Sequence, residues 1–128
     1  MDEKTTLAEL KEAALQMALY RGWGDENGIQ NPQQMAMAMS VELGEMMEHF
    51  AWLDADGVRR LLAGELPNRR NRIAEEFADV LIYGLQVMNA LGVDISDTVL
   101  KKIEIVKRRA TDPDAGRTHP HVDTESED

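Results

Sequence analysis

The chain has 128 residues, 43% of them hydrophobic, with 14 Lys and Arg against 24 Asp and Glu for a formal net charge of −10. That balance excludes the function classes whose affinity comes from cationic contacts, so neither a nucleic-acid partner nor a membrane surface is expected. The absence of cysteine removes disulfide scaffolds, thiolate-bound zinc, iron–sulfur clusters and thiol nucleophiles.

The opening Met1-Asp2-Glu3-Lys4 is not the pattern of a secretory signal, and no apolar run approaches the roughly 20 residues of a membrane span, so a cytoplasmic protein is expected. Residues 5–21 read as a first helix, with Thr5 or Thr6 as N-cap and Leu7, Leu10, Ala14, Met17 and Ala18 at helical spacing. Gly22-Trp23-Gly24-Asp25-Glu26-Asn27-Gly28 forms a loop. Asn31-Pro32 is a start signal, and a second helix from Pro32 to Leu53 carries Met35, Met39, Met46, Phe50 and Leu53 as its apolar stripe. A short helical piece follows between the breakers Gly57 and Pro67. Asn68 opens a third long helix to Leu91, apolar on every side at Val80-Leu81-Ile82-Tyr83, which predicts more than one packing neighbour. After Gly92, Asp94 or Ser96 caps a last helix to Arg109. No stretch shows strand-like alternation. The fold expected is all-α: a four-helix bundle with a short extra helix between helices 2 and 3. It occupies residues 1–110, and an acidic tail over 111–128 is expected to lack fixed structure. In that tail Asp112, Asp114, Asp123, Glu125, Glu127 and Asp128 face only Arg117, which accounts for half of the net charge.

Two pairs of acids stand out. At about 100° per residue, Glu42 falls on the same arc as Met35, Met39 and Met46, and Glu45 lies one turn further at the edge of that stripe. In the third helix Glu76 and Asp79 repeat the spacing, flanking Ile73, Phe77, Val80 and Gly84, with Tyr83 on the same side. A carboxylate in an apolar register is costly unless paired, protonated or bound to metal. Packing the two helices together would converge four carboxylates, hard oxygen ligands suited to Mg²⁺, Mn²⁺ or Ca²⁺. A di-iron bundle needs Glu-x-x-His on two helices, and here His49 follows Glu45 by four and Glu42 by seven.

The run from Arg21-Gly22-Trp23 through Asn31-Pro32, Glu42-Leu43-Gly44-Glu45 and Glu48-His49-Phe50-Ala51-Trp52, with Glu75-Glu76-Phe77-Ala78-Asp79-Val80-Leu81-Ile82-Tyr83 and then Gly92-Val93-Asp94 and Lys102, resembles the MazG-like all-α nucleotide pyrophosphohydrolases. The likeness spans roughly residues 10–110 and is nearest the family's dCTP pyrophosphatase branch. It implies cleavage of a nucleoside triphosphate between its α and β phosphates, giving monophosphate and pyrophosphate. It also implies Glu42, Glu45, Glu76 and Asp79 as Mg²⁺ ligands, with Mn²⁺ as a substitute. A triphosphate cannot enter a carboxylate cluster without divalent ions between them. Glu45 and Glu48 are the candidates to take the proton of the attacking water. By the same resemblance Trp23 and Trp52 lie around the base, Tyr83 near the sugar, and Lys102 against phosphate. Val106 and Ala110-Thr111 depart from the Asn and the Tyr-Pro that related sequences carry, which removes a specific amide from the substrate-selecting set. A dCTP-like pyrimidine substrate is therefore expected on the likeness alone. The alternative is a non-catalytic helical module that binds a nucleotide or a partner protein. A bundle this small is expected to self-associate as a homodimer or homotetramer.

Overall fold

A computed structural model describes residues 1–111, and the part of the predicted acidic tail beyond Thr111 lies outside it. The described residues are all-helical: α1 (Leu7–Arg21), α2 (Pro32–Ala51), α3 (Ala55–Leu62), α4 (Pro67–Leu91) and α5 (Ile95–Arg109). Among them no single helix is long and apolar enough to cross a membrane. Met1–Val93 forms one compact unit, and α5 belongs to a second that begins at Asp94.

The helix boundaries follow local chemistry. Thr6 begins α1 with a reciprocal capping box: its hydroxyl accepts from the Glu9 amide at 3.2 Å, and its own amide donates to Glu9 Oε2 at 2.7 Å. Gly22, left-handed at φ 70°, ends the helix while the Trp23 amide reaches back to the Ala18 carbonyl at 2.8 Å. The following loop is held by Asp25, whose Oδ1 accepts from the amides of Asn27 and Ile29, both at 2.9 Å. Gly24 is needed here: with φ at 78°, a Cβ would stand 2.5 Å from the Ile29 carbonyl oxygen. Asn31 caps α2 through the amides of Gln33 and Gln34. The short helix begins earlier than Gly57, the expected breaker. Asp54 caps it and binds the Gly57 amide at 2.7 Å, so the glycine sits in the first turn, where its missing side chain costs little. Pro67, the other expected breaker, is the first residue of α4.

α4 is the central element of the first unit and packs on α1, α2 and α3, as its all-round apolar middle predicts. α2 runs antiparallel to it. His49 meets the early residues Arg69 and Glu76, Met39 lies against Gly84, and Gln30, just before α2, bonds Gln86. The buried apolar residues described are only Ala14, Ala18, Val80 and Leu85. Alanines at the α1–α4 contact let those backbones approach closely. Lys11 Nζ donates to the Val93 carbonyl at 2.7 Å, and Asn89 Nδ2 donates to the Lys11 carbonyl at 3.0 Å, fastening the same pair. Two expected stripe residues, Phe50 and Phe77, are instead exposed at 41% and 53%. At that exposure no element of this unit covers them fully.

Candidate metal and nucleotide site

The α2–α4 seam is where the predicted acids meet. Glu42, Glu45 and Glu76 each present a carboxylate oxygen within 4.8 Å of the others. Glu42 and Glu76 are half-buried and Glu45 is exposed, so the cluster opens to solvent on the Glu45 side. The Glu42 carboxyl is pushed above the usual carboxylate range. Partial burial is the largest cause, followed by the charge of Glu45 and a side-chain hydrogen bond to it, then by the charges of Asp79 and Glu76. Asp79 is exposed and close enough to act on Glu42, yet it stands outside the three-residue group.

The donor set fits a hard divalent cation. It is all oxygen, it combines a sheltered and an open side, and its like charges raise a carboxyl pKa that a cation would relieve. Glu42, Glu45 and Glu76 would hold the ion, with Asp79 beside them.

On one side of the acids lies a cavity of about 590 Å³ that Glu42 and Asp79 help to line, together with Trp23, Tyr83, Gln30 and Gln86. This volume and its mixed aromatic and amide lining suit a small organic ligand. Arg21 lies over the Trp23 ring, its guanidinium carbon 4.7 Å from the centroid, and so holds the indole at the mouth. Gln86 is buried, only 4% exposed, and its side-chain oxygen accepts from Gln30 Nε2. A buried amide in an otherwise apolar stretch could not be assigned a role from spacing alone. Its position three residues beyond Tyr83, on the same stripe, was the available signal.

The structure groups some predicted residues and separates others. Trp23 and Tyr83 share the cavity with Glu42 and Asp79, whereas Trp52, 92% exposed at the end of α2, lines a second cavity together with Glu48. Lys102 lies exposed on α5. His49 entered the sequence reading only through its spacing of four from Glu45 and seven from Glu42. Its Nε2 lies 3.5 Å from Glu76 Oε1, both side chains half-buried, so it neighbours a predicted ligand directly. Its carbonyl in turn accepts from Arg69 Nη1 at 2.6 Å, which ties the C-terminal turn of α2 to the first turns of α4.

The first unit thus sets a carboxylate cluster between two antiparallel helices at the edge of a cavity lined by aromatic and amide side chains, an arrangement that suits a divalent cation and a small organic ligand. Residues 37–117 match the MazG-like family, and the chain belongs to that family. It is 32% identical over 104 residues to human dCTP pyrophosphatase 1, a match covering 81% of this chain and 58% of that protein. The Bos taurus protein of the same name is 28% identical over 105 residues, covering 81% and 59%. The Rattus norvegicus protein is 28% identical over 104 residues, covering 81% and 58%. The chain thus spans somewhat under three-fifths of the length of the curated relatives it matches.

Proposed function

We propose that this chain is a Mg²⁺-dependent nucleoside triphosphate pyrophosphohydrolase that converts a (d)NTP to the monophosphate and pyrophosphate, with dCTP or a related pyrimidine nucleotide as substrate. The observation that carries the reading is the convergence of Glu42, Glu45 and Glu76 at the edge of a cavity lined by Trp23 and Tyr83. The names of the relatives support the substrate class. Mg²⁺, or Mn²⁺ in its place, supplies neutralisation of phosphate charge and a bound water of lowered pKa.

The chain's own residues provide the rest. Trp23 stacks on the base, which provides affinity for any base rather than a choice among them. Tyr83, one turn beyond Asp79, offers its hydroxyl to the sugar. Glu45 is the open member of the cluster and the better placed to take a proton from the attacking water. Glu48 faces the other cavity beside His49. The water oxygen forms a new P–O bond, the anhydride bond between the α and β phosphates breaks, and pyrophosphate leaves with the bonding pair. Positioning and charge stabilisation, without a covalent intermediate, suffice for this reaction.

Self-association belongs to the same proposal. Met37, Val41 and Met47 on the outer arc of α2 are 60–66% exposed, and the buried apolar set described is small, so a second copy of the chain has surface to cover. A dimer, or a tetramer of dimers, by light scattering at micromolar concentration is the expected result, and a monomer would remove this part. For the activity, the purified chain is incubated with each (d)NTP and Mg²⁺. Stoichiometric monophosphate and pyrophosphate, with dCTP among the best substrates, is the expected outcome. Orthophosphate alone, or no turnover with any nucleotide, rejects it.

A further inference from the structure

An aromatic face such as that of Trp23 stacks on any base, so a choice among bases has to come from groups that meet the base edge. The cavity beside the acids holds such groups. Its lining carries two acids, Glu42 and Asp79, and no Lys or Arg. A wall without cations disfavours bare phosphate and leaves neutral hydrogen-bonding groups to orient a ligand. On α4, Asp79, Tyr83 and Gln86 succeed one another at spacings of four and three, along one side of the helix. With 1.5 Å of rise per residue, Tyr83 stands roughly 6 Å and Gln86 roughly 10 Å from Asp79 along the axis. The order acid, hydroxyl, amide matches a cation-bound phosphate, a sugar and a base edge.

Gln86 is 4% exposed, and its Oε1 accepts from Gln30 Nε2. The Gln86 NH₂ group and the Gln30 carbonyl oxygen have no other partner among the described residues, yet no side-chain nitrogen or oxygen there is sealed away without one. The Gln86 NH₂ is therefore reached from the cavity, which both residues line. Gln30 is held by the chain on either side of it. The Ile29 amide donates to Asp25 Oδ1 and the Ile29 carbonyl accepts from the Asp25 amide, both at 2.9 Å. Asn31 caps α2. Gly24 leaves room for the side chain, since a Cβ there would stand 3.1 Å from Gln30 Cγ. Met17, Met35 and Ile82 make the wall around the two amides apolar, which strengthens any hydrogen bond they make and penalises one left unmade.

We propose that Gln86 and Gln30 are the base-reading pair of this cavity, and that the pair accepts 4-amino and 4-oxo pyrimidines alike. Resting on the hydrolase reading above, this assigns the choice of substrate to two residues. A primary amide carries one carbonyl and one NH₂, so a single hydrogen bond between two amides always leaves one donor and one acceptor free. With Gln30 donating, Gln86 shows its NH₂ and Gln30 its carbonyl. When both amides turn over, Gln86 donates instead and shows its carbonyl, and the free NH₂ passes to Gln30. A 4-amino pyrimidine sets the acceptor N3 beside the donor N4, and a 4-oxo pyrimidine sets the donor N3–H beside the acceptor O4. Each edge meets its complement in one of the two states, because the turnover exchanges donor and acceptor without moving either side chain.

Calorimetric titration of the full chain in Mg²⁺ with dCMP, dUMP and the 2-pyrimidinone deoxynucleoside monophosphate, which lacks the 4-substituent, tests this. The unaltered chain is expected to bind dCMP and dUMP within about threefold of each other and the 4-unsubstituted ligand about tenfold more weakly than either. Gln86→Leu should lower dCMP and dUMP about tenfold, to the level of the 4-unsubstituted ligand, whose own affinity stays within about twofold. Gln30→Ala, at a half-buried loop position, should show the same convergence, and it carries the test if Gln86→Leu lowers the melting temperature. Unchanged dCMP and dUMP affinity in both variants overturns the assignment, as does an equal loss of all three ligands or no binding of dCMP and dUMP by the unaltered chain. A preference beyond about tenfold between dCMP and dUMP overturns the exchangeable pair. Convergence in the variants without turnover of any triphosphate would reject the hydrolase reading and keep the base-reading pair. Turnover with binding independent of both glutamines would do the reverse.

Discussion

α4 makes two very different contacts, and they divide the labour of the molecule. On the α1 side, Ala14 and Ala18 of α1 and Leu85 of α4 are buried, and the two helices are fastened by Lys11, Asn89 and the Val93 carbonyl. Against α2 it makes its more extensive contact, yet the residues there include three clustered carboxylates, a histidine and half-buried methionines. The first contact is ordinary small-residue packing, where volume decides stability. In the second, like charges are held together at a cost in stability, and under the proposed function what they gain is affinity for a cation. A seam of this kind is stabilised by what it binds.

The largest expected effect separates the two. Glu76→Gln should lower kcat by on the order of 10²-fold or more, with the ligand-free melting temperature within a few degrees of the unaltered chain. Steady-state kinetics beside circular dichroism measures both, and a collapse of the fold would show that the seam is structural after all. The converse change belongs to α1. Ala18 is completely buried, so Ala18→Leu should overpack the contact and cost about 2 kcal/mol, or about 10 °C in melting temperature, while the Mg²⁺-induced shift persists. Smaller again, Trp23→Ala should raise KM about tenfold through lost stacking, leaving kcat within a few-fold.

The smallest effect is in pH. A carboxyl whose folded pKa is raised contributes stability that is fully present below its unfolded value, near 4.5, and is lost as pH rises through the folded value. The metal-free chain should accordingly lose stability across that window by an amount that Glu42→Gln abolishes. Thermal melts of both proteins from pH 4 to 8 in chelator measure it. Parallel curves for the two would mean that Glu42 is not under the repulsion described.

The acids were legible in the sequence because carboxylates three residues apart in an apolar register repel one another unless a cation joins them, and Glu42, Glu45 and Glu76 do come together. The helices were equally legible from caps such as Thr6, Asn31 and Asp94 and from Gly22 and Gly92 at their ends. Less visible was anything that depends on which neighbour fills a space. Phe50 and Phe77 read as core by periodicity, but nothing in the first unit covers them fully. Gln86 is polar by type and buried by place, and its partner Gln30 lies far off in the chain, in the loop before α2. The two tryptophans line separate cavities, a separation that order along the chain does not encode. Arg69 reaches α2 through the His49 backbone carbonyl, a contact to which side-chain spacing is blind.

The central claim is that Glu42, Glu45 and Glu76 form one divalent-cation site, and the direct test is calorimetric titration of Mg²⁺ into the unaltered chain and into Glu42→Gln at neutral pH. Saturable binding by the unaltered chain, with affinity lost by tenfold or more in Glu42→Gln and no loss of metal-free melting temperature, is the predicted result. Equal Mg²⁺ affinity in the two proteins, or no saturable binding in either, would contradict it.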